Sequence, residues 1–277
     1  AFLLASIGKV GLILLHAPLI AFAWIGLAEV VIGAMGMVIV YHAKGHTLRE
    51  WKGSLTRAKE LLKDSWPLIL SGLAIYIQAR IDQVMLGQMI GLGEVGQYSV
   101  AMRLIEAFGF IPMIIYISAA PTITEAKIQG EAEYYERLLN LYRLMFLLFL
   151  IVAIPIFLFS KQIVVILFGE EYKTAGALLA LFSIRLFFTN FGVAKSLFIT
   201  NENLFKYSLI TAVAGSLINV ALNYILIPKY ASIGAIWATI ASFTVTIFFI
   251  DLFYYRVVDN LKIMLKAVIT PWQINFK

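Results

Sequence analysis

Two charged residues, Arg80 and Asp82, lie inside an apolar stretch, 65–91, that is otherwise typical of a membrane-spanning helix. An ionised side chain at the centre of a bilayer costs about 2.5–3.5 kcal/mol on insertion scales, so such residues usually mark a substrate pathway or an ion site. Five further charged residues lie well inside other full apolar stretches: Glu29, Arg103, Glu106, Arg185 and Lys195. We expect these seven side chains to face one another or a hydrated interior rather than lipid.

Helical geometry separates Arg80 from Asp82. Residues two apart are rotated by about 200° around a helix axis, so these two side chains cannot share a face. Tyr76, Arg80 and Gln83 follow one stripe, whereas Gln78 and Asp82 follow another. The sequence therefore predicts that one stripe lines a cavity and the other binds a neighbouring helix. The alternative is that both charges only tie helices together.

Arg103, Glu106 and Glu29 each allow two interpretations. Arg103 and Glu106 are three residues apart and can pair on their own helix, but Arg103 can equally pair with Asp82 across helices. The sequence does not choose between these arrangements. Glu29 is the one charged residue of its stretch, and it either bonds to a neighbouring helix or binds a proton or a cation.

A polar ribbon with two cations runs along the 175–200 stretch. Arg185, Thr189 and Lys195 recur there at helical spacing, and no acidic residue lies in the same stretch. Uncompensated cations suit an anionic ligand, phosphate above all, because Arg offers a planar fork and Lys a point charge. Lys195 can alternatively extend its stem toward the membrane interface.

The elements that must position these residues are transmembrane helices. The chain is 61% hydrophobic and only 14% charged, whereas soluble domains carry about 25% charged residues. In hydrocarbon a helix satisfies its own backbone hydrogen bonds, so the predicted fold is all-α, a polytopic membrane helix bundle. The apolar stretches predict one clipped span and seven full spans, at 1–15, 18–41, 65–89, 93–120, 141–168, 175–200, 204–227 and 231–255.

Composition also argues against several classes of function. The chain contains no cysteine and three histidines, so we predict neither a metal site nor a cofactor. The net charge of +6 is not arranged as a basic stripe interleaved with aromatics, so nucleic acid is not an expected partner. No phosphate loop, HExxH motif or nucleophile elbow occurs, which makes an enzyme the weaker hypothesis.

The basic residues between the spans predict the orientation in the membrane. Lys and Arg are concentrated in the 42–64 linker, the 121–143 connection and the tail, whereas the opposite side carries only Lys161, Lys173 and Lys229. Cytoplasmic loops carry the excess of basic residues, so the linker and the tail are predicted to be cytoplasmic. Apolar residues recur at helical spacing within the linker, as in a helix on an anionic membrane surface or a hinge between two lobes.

Three segments carry a resemblance to a known family. They contain RIDQVMLGQ at 80–88, LFGEEYKTAGALL at 167–179 and GAIWAT at 234–239. With their flanking residues, from about 65 to 255, they resemble the Wzx-type polysaccharide-biosynthesis flippases. That group belongs to the superfamily of multidrug, oligosaccharidyl-lipid and polysaccharide exporters.

The resemblance implies a transporter of two six-helix lobes around a central cavity. On that template, 1–41 holds the last two helices of the N-lobe, 42–64 the cytoplasmic linker, 65–256 the six-helix C-lobe and 257–277 a cytoplasmic tail. Since Ala1 opens directly into an apolar stretch, we expect the chain to be the C-terminal part of a longer protein.

The resemblance further implies a function, a substrate and a location. The expected activity is translocation of a polyprenyl-pyrophosphate-linked oligosaccharide from the inner to the outer leaflet of the plasma membrane, by alternating access, during the synthesis of O-antigen, lipopolysaccharide or another surface polysaccharide. The bilayer and the lipid-linked oligosaccharide are the expected partners, with glycan polymerase machinery as a further one.

On this template the site residues take three roles. The pyrophosphate is expected at Arg80, Arg103, Arg185 and Lys195. The sugar is expected at Tyr76, Gln78 and Gln83. Ion coupling is expected at Asp82 or Glu29.

Two other functions stay open at the level of sequence. A multidrug or toxin extruder that exchanges cations would need a cavity dominated by acids, but bases slightly outnumber acids within the spans. A membrane glycan polymerase or ligase would need a large outer loop with catalytic side chains, and the predicted outer loops are short.

Overall fold

The computed structural model describes residues 1–47 and 53–274, and those residues form helices and turns without a strand. The prediction of an all-α membrane bundle is confirmed. The chain divides into two compact units, Ala1–Lys63 and Asp64–Lys277.

The first unit contains a pair of antiparallel helices, α1 (Phe2–Leu14) and α2 (Leu19–Ala43). The turn between them places His16 at a φ of 50°. A Cβ on Gly8 would lie 3.0 Å from the Ile25 side chain, which shows how closely the two helices approach. Nearly all their apolar side chains are exposed, as expected for helices that face lipid or other helices.

The second unit is built mainly from seven helices. They are α3 (Leu55–Met89), whose first turns lie before Asp64, α4 (Leu92–Glu106), α5 (Phe110–Gln129), α6 (Glu131–Phe168), α7 (Lys173–Asn201), α8 (Phe205–Thr244) and α9 (Tyr255–Ile269). A π-helical turn, Val245–Phe249, and a 3-10 turn, Ile250–Phe253, join α8 to α9.

By length and composition, six helical stretches of the described chain can cross a membrane, and α1 is shorter. Two of the six are composite. The stretch Leu92–Gln129 breaks between α4 and α5, near Gly109, where the sequence predicted one uninterrupted span. The stretch Phe205–Phe253 covers nearly all of the last two predicted spans. Each of the eight predicted segments is therefore mainly helical, although the segment 93–120 is divided between α4 and α5.

A sharp reversal at Ala231 folds α8 into a hairpin. Ala231 has a φ of 49° and a ψ of −131°, outside the helical region, three residues after Pro228. The two arms are in contact directly beside the reversal, because a Cβ on Gly234 would lie 2.4 Å from the Leu226 carbonyl oxygen. Glycine at 234 is therefore what lets the second arm return along the first.

The linker predicted at 42–64 falls partly outside the described residues, at 48–52. The remainder includes 55–63, which is helical as its spacing predicted and forms the first turns of α3. The predicted tail, 257–277, is helical over most of its described length as α9. Its apolar face, which includes Val257, Leu261 and Met264, is buried.

The core of the second unit lies along α6 and α7, and its largest buried side chains are aromatic. Phe182 and Tyr98 pack edge to face with ring centroids 5.0 Å apart, and Phe191 and Tyr142 lie 5.5 Å apart. Aromatic pairs of this kind add about 0.5–1.5 kcal/mol beyond the burial of their area. The buried polar side chains of the second unit therefore lie within a closely packed framework.

Candidate substrate cavity and ion site

Asp82 lies at the junction of α3, α4 and both arms of α8, and 2% of it is exposed. Its carboxylate accepts three hydrogen bonds, from the Tyr98 hydroxyl at 2.7 Å, the Thr239 hydroxyl at 2.6 Å and the Asn223 amide at 2.6 Å. The Asn219 amide donates to the Thr239 hydroxyl and completes the group. We call these five residues the Asp82 cluster.

No cation of the described chain pairs with Asp82, so its donors are all neutral. The side-chain amide oxygen of Asn223, Oδ1, is buried beside Asp82 without a hydrogen-bond partner among the described residues. Carboxylate, amide and hydroxyl oxygens are ligands that hard cations prefer. No three His, Asp or Glu side chains of residues 1–47 and 53–274 group as a metal site.

The two stripes of α3 face different surroundings, as helical geometry predicts. Gln78 and Asp82 are both buried, and the Gln78 amide donates to the Ser242 hydroxyl at 2.9 Å. On the other stripe, Tyr76 is exposed and the Gln83 amide contacts the Met102 sulfur at 3.3 Å. Of the three predicted sugar contacts, the structure therefore places Gln78 apart from the other two.

Arg80 pairs with Glu106 across α3 and α4, at 3.4 Å, and both side chains are more than a third exposed. The two pairings left open by the sequence were Glu106 with Arg103 and Asp82 with Arg103, and the structure has neither. Arg103 is exposed and forms no ion pair within the described residues. Arg80 and Arg103 consequently lie apart from the other two predicted pyrophosphate contacts.

A cavity of about 490 Å³ lies between α3, α7 and the two arms of α8. Arg185 and Lys195 both line it, together with Gln78 and a series of hydroxyl side chains. The hydroxyl groups belong to Thr189, Ser196, Thr200, Ser208, Thr211 and Thr246. Within the described part of the chain its lining contains no carboxylate, so its charge is positive.

Arg185 is the available cation of this cavity. Its guanidinium lies 5.7 Å from the centroid of the Phe243 ring, a cation–π distance. No carboxylate of the described chain pairs with it. Its fork of N–H donors is therefore free of acidic partners.

Lys195 has a counter-charge, Asp251, which the prediction of an uncompensated cation at Lys195 did not include. That prediction was wrong, because it considered only the residues of the same helix. Its ammonium donates to Asp251 Oδ1 at 2.6 Å and to the carbonyl oxygens of Thr246 and Ile247 at 3.3 and 3.2 Å. The Tyr207 hydroxyl donates to the same Asp251 oxygen. Asp251 was missed among the charged residues because it stands near the predicted end of its span, although it is a lone acid in the apolar run FFIDLFYY.

Glu29 lies in the first unit, where it pairs with Lys9 of α1 at 3.0 Å. This agrees with the interpretation that Glu29 bonds to a neighbouring helix. Lys9 was not predicted as its partner, since it lies in the clipped span at 1–15.

Two family models match the chain. The model described as MatE matches residues 67–225, which is more than half of the chain, and the model described as Polysaccharide biosynthesis protein matches residues 2–127. Comparisons with curated proteins and with solved structures found no match.

Proposed function

Because the chain belongs to the MatE family of membrane exporters, within the superfamily that includes the Wzx-type polysaccharide flippases, we propose that its cargo is a polyprenyl-pyrophosphate-linked oligosaccharide. The families are transporters rather than enzymes. The proposed activity is movement of that lipid-linked glycan from the inner to the outer leaflet during synthesis of a surface polysaccharide such as O-antigen.

The observation that carries the proposal is the positive cavity between α3, α7 and α8. Arg185 lines it without an acidic partner, Lys195 lines it while paired with Asp251, and no acid belongs to the lining among the described residues. A pyrophosphate is a dense anion that Arg binds with two parallel hydrogen bonds. The hydroxyl groups and the Gln78 amide that line the same cavity offer neutral hydrogen bonds suited to sugar hydroxyls. Arg185 is accordingly the first contact that we assign to the pyrophosphate.

The remaining predicted contacts take secondary places in the proposal. Arg80 and Arg103, with Tyr76 and Gln83, lie on other surfaces of α3 and α4, where they would meet cargo on its way to or from the cavity. We propose that 1–41 and 65–256 belong to different lobes, joined by the 42–64 linker, and that rocking of the lobes alternates access. The linker and the tail are proposed to be cytoplasmic and the membrane to be the plasma membrane, with glycan polymerase machinery downstream.

We propose the Asp82 cluster as the ion-coupling site. Its carboxylate is buried without a cationic partner in the described part of the chain, and a proton or sodium ion would neutralise it at modest cost to the surrounding hydrogen bonds. Glu29 is the weaker candidate because Lys9 already neutralises it. Asp82→Asn should uncouple or abolish export, whereas Glu29→Gln together with Lys9→Met should preserve it. Normal gradient-driven export by Asp82→Asn would contradict the coupling role.

The proposed cargo is tested by replacing Arg185 in the full-length protein. Arg185→Ala should abolish appearance of the glycan on the outer leaflet while the protein still reaches the membrane. Lys173→Ala is the matched control, because Lys173 forms only an exposed pair with Glu170. Wild-type export by Arg185→Ala would refute the assignment of this cavity to the pyrophosphate.

A multidrug extruder is the second candidate, and the MatE match itself favours it. It predicts that a lipophilic cation is exported and that an acid of the transport path is essential. The positive lining of the cavity argues against a cationic cargo. Export of a cationic dye that survives Arg185→Ala but fails in Asp82→Asn would favour the extruder over the flippase.

A further inference from the structure

The Lys195 ammonium lies at the wall of the cavity but has no hydrogen left for a cargo. An ammonium has three N–H donors, and here the three acceptors are Asp251 Oδ1 and the carbonyl oxygens of Thr246 and Ile247. Lys195 is only 7% exposed. It can bind an anion in the cavity only by giving up at least one of these partners.

Asp251 is the partner whose loss has consequences. It is fully buried, and its Oδ2 atom has no hydrogen-bond partner among the described residues. Tyr207 donates to Oδ1, the same oxygen that Lys195 contacts. If Lys195 leaves, the carboxylate retains the Tyr207 hydroxyl but loses its counter-charge, a state that burial makes unfavourable.

The backbone at this position is already irregular. Thr246 and Ile247 belong to the π-helical turn that joins the second arm of α8 to the 3-10 turn bearing Asp251. π-helical turns often occur at functional sites, and they change the backbone pairing of a helix locally. Lys195 therefore binds a segment whose carbonyl groups and carboxylate face it together.

We propose that Asp251 competes with the anionic group of the cargo for Lys195. With the cavity empty, Asp251 and the two carbonyl groups hold the ammonium. When a pyrophosphate reaches Arg185, the flexible stem of Lys195 lets its ammonium move to the anion. The buried carboxylate then draws the ammonium back, which weakens the hold on the cargo and favours its release. Asp251 is thus a positioning residue, and its role rests on the proposed function.

The test is equilibrium binding of farnesyl pyrophosphate to the full-length protein purified in detergent. Asp251→Asn keeps an oxygen beside Lys195 but removes the competing charge, so affinity for the probe should rise about tenfold while export slows. A tenfold change corresponds to about 1.4 kcal/mol. Glu202→Gln is the matched control, because it removes one acid from an ion pair with Lys127 that does not line the cavity. Its affinity should stay at the wild-type value.

Tyr207→Phe tests the same carboxylate, but here the affinity for the probe should fall instead of rise. Without the Tyr207 hydroxyl, the Asp251 carboxylate would have no donor among the described residues once Lys195 moves away. Asp251 therefore holds Lys195 more firmly, and the affinity for farnesyl pyrophosphate should fall several-fold. A merely structural role would shift both variants in the same direction. Tyr207→Phe also tests the proposal if Asp251→Asn does not fold.

The double variant Lys195→Met with Asp251→Asn separates competition from a general charge effect. It should lose the gain in affinity, since no ammonium remains to be freed. Unchanged or weaker binding by Asp251→Asn, unchanged binding by Tyr207→Phe, or a gain that persists in the double variant would each overturn the proposal. Failure of the wild-type protein to bind the probe would instead refute the proposed function, and this inference with it.

Discussion

Asp82 and Asp251 are two buried carboxylates of one helix bundle, and they are neutralised in different ways. Asp82 accepts hydrogen bonds from two hydroxyl groups and one amide, and no cation within residues 1–47 and 53–274 pairs with it. Asp251 accepts a hydrogen bond from the Tyr207 hydroxyl and forms a short ion pair with Lys195. The first site therefore has no counter-charge among the described residues, whereas the second carries its own counter-ion.

Asp82 and Asp251 are distinguished from the acids of the other ion pairs by how deeply they are buried. Arg80 and Glu106 also lie within apolar stretches, but their side chains are 44% and 37% exposed. Substitutions at these sites should therefore lower the free energy of unfolding in detergent micelles by amounts that decrease with exposure.

The largest expected effect is at Lys195. Lys195→Met leaves the Asp251 carboxylate buried without a counter-charge, which should lower the free energy of unfolding by about 3–5 kcal/mol. The double variant Lys195→Met with Asp251→Leu should recover most of the loss, because a buried ion pair replaced by apolar side chains is often neutral. A loss below about 1 kcal/mol in the single variant would contradict the ion pair.

Gly234→Ala should have the second largest effect, because it strains the α8 hairpin that carries three residues of the Asp82 cluster. The added Cβ would lie 2.4 Å from the Leu226 carbonyl oxygen, so the hairpin of α8 must open, at a cost of about 3 kcal/mol. Gly72→Ala, where a Cβ meets nothing within 4 Å, is the control and should not destabilise the protein. Equal stability of the two variants would mean that the arms do not approach so closely.

Asp82→Asn should cost less than loss of Lys195, about 2 kcal/mol, because it leaves mismatched donors but no unpaired charge. The comparison depends on the order of the two effects. If Asp82→Asn were the more destabilising variant, Asp82 would have to carry a counter-charge in the folded protein. Tyr98→Phe, which removes one donor to Asp82, is a milder companion and should cost about 1 kcal/mol.

Glu106→Gln should have the smallest effect. It removes the exposed pair with Arg80, and exposed pairs contribute about 0–1 kcal/mol. Glu133→Gln, in the exposed pair with Arg137, is a control of the same kind. A loss above about 2 kcal/mol for Glu106→Gln would contradict the exposed position of the Arg80 pair.

Much of the bundle was predictable because hydrophobic runs and helical spacing are local properties. The predicted 175–200 span differs from α7, Lys173–Asn201, by a few residues. The opposite directions of Arg80 and Asp82 followed from the 3.6-residue period alone. The break between α4 and α5 was not predicted, because the apolar run passes through it without interruption.

Pairing across helices was predictable only where few partners competed. Glu29 had few neighbours to choose from, and a bond to the adjacent helix was one of its two predicted states. Glu106 had Arg103 nearby in sequence, but Arg80 is the partner that the packing of α3 against α4 brings within 3.4 Å. Sequence separation does not rank such partners, since their distances depend on how whole helices pack.

The sequence by itself determined that this is a helical membrane protein, because membrane insertion and helix formation depend on local composition. Its resemblance to the exporter superfamily came from particular segments, such as the one at 80–88, and not from composition. Only the tertiary structure decided which charges are available. It neutralised Lys195 with an acid 56 positions away, surrounded Asp82 with neutral donors and left Arg185 without an acid among the described residues. The physical reason is that a buried charge is stable only with partners, and those partners come from different helices.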